Sequence, residues 1–255
     1  MRTLPLVLAW MLLGCAAASA QDDAALRTQL RRALHDGYAD AGPGLPNLPD
    51  LLTARFPGDM DAFIDKAAEA VKAHRLGDIK SSIAATLVAI QARDGDQIRA
   101  APKDDLVAVV RAQQDIVLAI TPDNPALCKV LAGGGPAQAA PSKAVGDIFA
   151  RRLYLLLAAI ADGRDRPVGN RALQADDYRQ FALEARDRGV DIKAWEVLAP
   201  DRIAAAAPDQ ICTALASSYD AVLTADDPVG ERVLADMTAS LLVKDAGVYQ
   251  PALGR

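Results

Sequence analysis

The chain has little that performs chemistry. It holds two histidines, three cysteines and, at 4%, few aromatic residues. His35 and His74 do not form an i, i+4 pair, and no HExxH or Cys-His cluster occurs, so no metal ligand set is expected. The absence of CxxC and CxxCH removes thioredoxin-like dithiol work and covalent c-type haem. There is no G-x-S-x-G, so a nucleophile elbow is missing. The glycines at 133 to 135 lack the Lys-Ser/Thr that a phosphate cradle needs. We therefore assign no catalytic, metal-binding or cofactor-binding residue and expect no cofactor. A net charge of −5 repels phosphate backbones, and the shortage of aromatics leaves no base-stacking platform, so nucleic acid is not an expected partner. No alternation of β-branched residues marks a strand. No apolar run reaches the roughly 20 residues that span a bilayer, so no transmembrane span is expected.

What the chain does have begins at its start. Arg2 is followed by an apolar run from Leu4 to Leu13 and then by small residues, the build of a secretory signal peptide. Two exits compete. Ala18-Ser19-Ala20 is a small-x-small site with cleavage before Gln21, which makes residues 1–20 the leader. Alternatively, Leu12-Leu13-Gly14-Cys15 resembles the lipobox of bacterial lipoproteins. That resemblance implies a leader of residues 1–14 and an acylated Cys15 that tethers the protein to a membrane; without acylation there is no membrane tether. Either way the expected location is the periplasm, with a lipid-anchored or a secreted form as the alternatives.

The remainder is 51% hydrophobic over the whole chain and leans on Ala and Leu, both strong helix formers. Met60, Phe63, Ile64, Ala67, Val71 and His74 fall on one stripe of a helix from Asp59 to Leu76. Leu106, Val109, Val110, Val117 and Ile120 do so between Asp104 and Ile120. Ala207-Pro208-Asp209 and Asp227-Pro228 open two more helices, since Pro suits the first helical position and Asp the cap. The first carries Ile211, Cys212, Leu215, Tyr219 and Val222 on one face; the second carries Val229, Val233, Met237 and Leu241. Residues 153–161 are apolar all round and predict a central helix. Gly37 is expected to end the first helix, just after His35, and His74 to lie near the end of its own.

The expected fold class is all-α, a multi-helix bundle or helical array of two stapled halves after the signal peptide. The glycines and prolines of residues 132–141 mark the linker between an N-terminal half, 21–131, and a C-terminal half, 142–247, with a tail at 248–255. With Cys15 removed or acylated, Cys128 and Cys212 remain. In an oxidising compartment such a pair reads as a disulfide; two buried free thiols are the alternative.

Charge concentrates between Asp162 and Asp191. Arg164, Arg166, Arg179, Arg186 and Arg188, with Trp195 just beyond, form the candidate interaction surface, because Arg and Trp tolerate desolvation at interfaces. The competing reading is a solvated face of local ion pairs. The vicinal pairs Asp22-Asp23, Asp104-Asp105, Asp176-Asp177 and Asp226-Asp227 are expected as helix caps. The functional expectation is an exported, non-enzymatic helical interaction module of the adaptor or inhibitor/immunity type, whose partner is an envelope protein. The rivals are an enzyme using paired carboxylates on an envelope polymer and a carrier of a small apolar ligand.

Overall fold

The computed structural model describes residues 23–39, 47–133, 142–169 and 171–253. The leader, Cys15 and positions 134–141 of the Gly/Pro-rich stretch lie outside the described residues. Every regular element among the described residues is helical. In chain order they are α1 (Asp23–Ala39), α2 (Leu48–Arg55), α3 (Pro57–Lys72), α4 (Gly77–Asp94), a 3-10 helix (Gly95–Ala100), α5 (Lys103–Ile120), α6 (Ala126–Gly133), α7 (Lys143–Asp165), α8 (Asp177–Asp187), a second 3-10 helix (Ile192–Leu198), α9 (Pro208–Leu223) and α10 (Pro228–Leu253). The last of these continues into the stretch expected as a tail. The chain divides into two compact units at Ala92/Arg93, ahead of the stretch expected as a linker.

In the first unit, α1, α2 and α3 pack on one another. Leu26, Leu30 and Leu34 recur every four residues on α1, and they are buried, as are Leu52, Phe56, Phe63 and Ile64. Asn47 joins two elements: its Oδ1 accepts from the Asp50 amide and caps α2, while its Nδ2 donates to the His35 carbonyl. That bond satisfies a carbonyl of the last turns of α1, and the helix runs through Gly37 instead of stopping there. Three ion pairs line the α1–α3 surface: Asp23 with Lys72, Arg27 with Asp65 at 3.0 Å, and Arg31 with Asp61. All are exposed and contribute little each.

His74 is not on the apolar stripe. The α3 helix ends at Lys72, and His74 takes a left-handed φ of 56° and is exposed. Its amide donates to the Val71 carbonyl and the Arg75 amide to the Ala70 carbonyl. That is the paired closure of a Schellman motif, with histidine where glycine is usual. Helical periodicity carries no sign of such a turn, because it reads side chains and not backbone handedness.

In the second unit, α5 packs against both α7 and α9, and α7 lies on the first 3-10 helix. The all-round apolar segment is the expected centre: Leu153, Leu156, Leu157, Ala159, Ile160 and Ala161 are buried. Its end approaches the 3-10 helix backbone to backbone. A Cβ on Gly163 would fall 2.0 Å from the Gln97 carbonyl oxygen. Cys128 on α6 and Cys212 on α9 are bonded, with Cα atoms 5.2 Å apart and both residues fully buried. Both belong to the second unit, so the bridge closes a loop of 84 residues within it. By chain entropy that closure contributes about 4.5 kcal/mol. No helix among the described residues is long and apolar enough to cross a membrane.

Two substitutions test this packing by thermal melting. Gly163→Ala drives a methyl into backbone and is expected to cost on the order of 3 kcal/mol, lowering Tm by about 10 °C. His74→Gly relieves a left-handed side-chain residue and is expected to stabilise by about 1 kcal/mol. Unchanged melting in the first, or a lower Tm in the second, contradicts the geometry.

Candidate functional site

The charged segment runs from the end of α7 through α8. Its arginines divide by what they reach. Arg188, an exposed residue, reaches the end of α9: its Nη1 donates to the Thr224 carbonyl at 3.0 Å and its Nη2 to the Ala221 carbonyl at 3.3 Å, satisfying the open end of that helix. Arg164 holds Asp165 at 2.7 Å and lies 3.6 Å from Asp94. Arg166 reaches back one turn to Asp162 at 2.8 Å while staying 69% exposed. Arg179 and Arg186 lie on the exposed face of α8, beside Asp176 and Asp187. Trp195 donates from Nε1 to Ser217 Oγ at 3.2 Å and stacks on Phe181, ring centroids 5.9 Å apart. Trp195 therefore anchors the second 3-10 helix against α8 and α9.

The segment between α7 and α8 has no helix of its own, so its backbone groups must find partners elsewhere. The Val168 amide donates to the Ala100 carbonyl and the Arg171 amide to the Arg99 carbonyl. Arg171 Nη1 donates to the Ala101 carbonyl at 2.7 Å, and its Nε lies 3.2 Å from Glu231. Lys103 meets Asp226 at 3.1 Å and Glu231 at 3.5 Å. The Asp226 carboxylate holds the Lys103 ammonium above its ordinary pKa.

Two further ties fix α8. Arg232 forks onto Asp177, with Nε to Oδ2 at 2.7 Å and Nη2 to Oδ1 at 2.6 Å, and Asp177 also accepts the Gln174 amide. The guanidinium holds the Asp177 carboxyl down at about 2. Tyr178 donates its hydroxyl to Asp236 Oδ2 at 2.9 Å, and Arg99 donates to Asp236 Oδ1 at 2.9 Å. Burial of the hydroxyl, with the Asp236 charge beside it, raises the Tyr178 pKa. The inner face of α8, Asp177, Phe181 and Ala185, is thereby locked. The outer face presents Tyr178, Arg179, Leu183 and Arg186, with Tyr178 46% and Leu183 39% exposed.

The vicinal aspartates are mostly ion-pair partners and not caps. Asp227 does cap, accepting the Val229 and Gly230 amides at 2.8 and 2.9 Å. Asp23, Asp177 and Asp226 take cations instead. Burial of Asp105 on α5, with the charge of Asp162 on α7 beside it, pushes the Asp105 pKa up. Among the described residues no three His, Cys, Asp or Glu side chains come together in a metal-binding group.

Sequence reading missed Arg99, Arg171, Tyr178, Arg232 and Asp236 as a set. Their partners lie 55 to 137 residues away, so no local spacing could announce them. No protein-family model, curated protein or solved structure shows significant similarity to this chain.

The Asp177–Arg232 fork sets a pH dependence. Asp177 titrates near 2 when folded and near 3.9 when unfolded, so its contribution is present above about pH 4 and is lost as pH falls toward 2. Asp177→Asn is expected to lower the urea midpoint at neutral pH, and the gap to the parent protein should close between about pH 4 and about pH 2. A gap that stays constant across that window contradicts the pairing.

Proposed function

We propose that this chain is an exported bacterial envelope protein that works as a non-enzymatic helical interaction module of the adaptor or inhibitor/immunity type. The exported location is supported by the leader-like first 20 residues together with a buried disulfide, a bond that persists where thiols are not kept reduced. The partner-binding role rests on one observation above others: the outer face of α8. Tyr178 and Leu183 stand exposed beside Arg179 and Arg186, on a helix whose opposite face is fixed by Arg232 and Trp195, the Tyr178 hydroxyl itself being held by Asp236. Aromatic and aliphatic groups rimmed by arginine make the composition of an interface centre. A helix already locked in place loses little further freedom when a partner docks, which favours affinity.

The surface is narrower than the sequence suggests. Arg164, Arg188 and Trp195 serve the fold, and Arg166 stands at the end of α7, so the proposed face keeps Arg179 and Arg186 of the original set and adds Tyr178 and Leu183. The carboxylates Asp105 and Asp162 lend the enzymatic rival weaker support, since Asp162 is already paired with Arg166 at 2.8 Å.

The test is retention from envelope extract on immobilised protein, with and without Leu183→Asp. The expected result is a specific protein retained by the parent chain and retained at least about tenfold less by the variant, whose Trp195 fluorescence and helical spectrum are unchanged. No specific partner, or one indifferent to Leu183→Asp, counts against the proposal.

A further inference from the structure

Cys128 and Cys212 are both 0% exposed, so a thiol in solution cannot reach the bridge while the helices carrying it are packed. The two sides of the bond are unequal. Cys212 sits in α9, a helix of 16 residues that packs on α5, on α6 and on the second 3-10 helix. Cys128 sits in α6, which has eight residues and buries only Leu127, Cys128 and Ala132. A helix that short does not hold its shape in isolation. Beside the bridge, α6 is tied to the rest of the unit by a bond from Lys129 Nζ to the Ala204 carbonyl at 3.1 Å. Lifting α6 therefore exposes far less apolar surface than lifting α9, and local opening follows the smaller surface.

We infer that α6 is a redox-held flap: the Cys128–Cys212 bond clamps it onto α9, and a dithiol reductant releases it while the α5–α7–α9 core stays folded. This inference stands apart from the proposed α8 face, which lies on other elements. The chemistry is thiol–disulfide exchange. Transient opening of α6 admits a thiolate of the dithiol, which attacks Cys128 Sγ. The S–S bond breaks, Cys212 leaves as a thiolate and takes a proton from water, and a mixed disulfide joins Cys128 to the reductant. The second thiol of the reductant attacks its own sulfur in that mixed bond, frees Cys128 as a thiol and leaves the reductant as its cyclic disulfide. Two electrons pass to the bridge, and the dithiol is oxidised. The freed flap then keeps only its few buried side chains, and the face of α9 around Cys212 is uncovered.

The experiment uses the oxidised full chain and dithiothreitol as the probe, with free thiols trapped by alkylation, at urea concentrations below the unfolding transition. Through a flap, the reduction rate is expected to depend on urea with less than about a third of the equilibrium unfolding slope. Leu127→Ala, on the flap, should speed reduction at least about fivefold; Ile116→Val, which weakens the α5 core, should leave the rate unchanged. Amides of 126–133 should lose protection from hydrogen exchange after reduction while those of α5 and α7 keep theirs. A rate that tracks global unfolding in urea, equal acceleration by both variants, or joint loss of protection in α5, α6 and α7 overturns the flap and leaves the bridge a static crosslink.

Discussion

The bond between Cys128 and Cys212 is the long-range covalent constraint in the second unit: it ties α6 to α9 and narrows the unfolded ensemble. The 84 residues it closes include α7, α8, the second 3-10 helix and the poorly helical segment between α7 and α8. A long closed loop shrinks the unfolded ensemble, so each contact formed inside it orders less chain than it otherwise would. The apolar contact of α5 with α7 supplies cohesion along the centre, and the Gly163–Gln97 approach sets how closely the first 3-10 helix can lie on it. Neither needs a special residue beyond a glycine and a run of leucines.

Polar chemistry in this unit is mainly architectural. The segment between α7 and α8 is held by Arg171, which reaches Ala101 and Glu231, and the helices beside it are tied by Arg232 to Asp177 and Arg99 to Asp236. A guanidinium suits this work because its planar fork satisfies a carboxylate and a carbonyl at once and stays charged at any pH the fold survives. The result is a short helix, α8, presented rigidly with one face spent on the fold and the other left to solvent.

Much of this was legible beforehand. Helical class, the core stripes of α5 and α9, the central place of the helix carrying Leu156, Leu157 and Ile160, and the Cys128–Cys212 pair all follow from composition and period, which act locally. What escaped was non-local or a matter of backbone handedness. His74 ends α3 in a left-handed turn that a 3.6-residue period cannot reveal, and Gly37 is carried through α1 by a bond from Asn47. Asp177 looked like a cap because its cation, Arg232, comes from another helix. The partners of Arg188 and Trp195 were hidden for the same reason: Thr224 and Ser217 lie 36 and 22 residues away in sequence.

The proposed export and the covalent closure are linked, because a bond of this kind forms and lasts outside the reducing cytosol. Intact-mass spectrometry of the protein taken from its producing cell, before and after reduction and alkylation, reads both at once. The account predicts a chain that starts at Gln21, or at an acylated Cys15, with Cys128 and Cys212 blocked to alkylation until reduced. A chain that still starts at Met1, with both thiols alkylated without reductant, would contradict it.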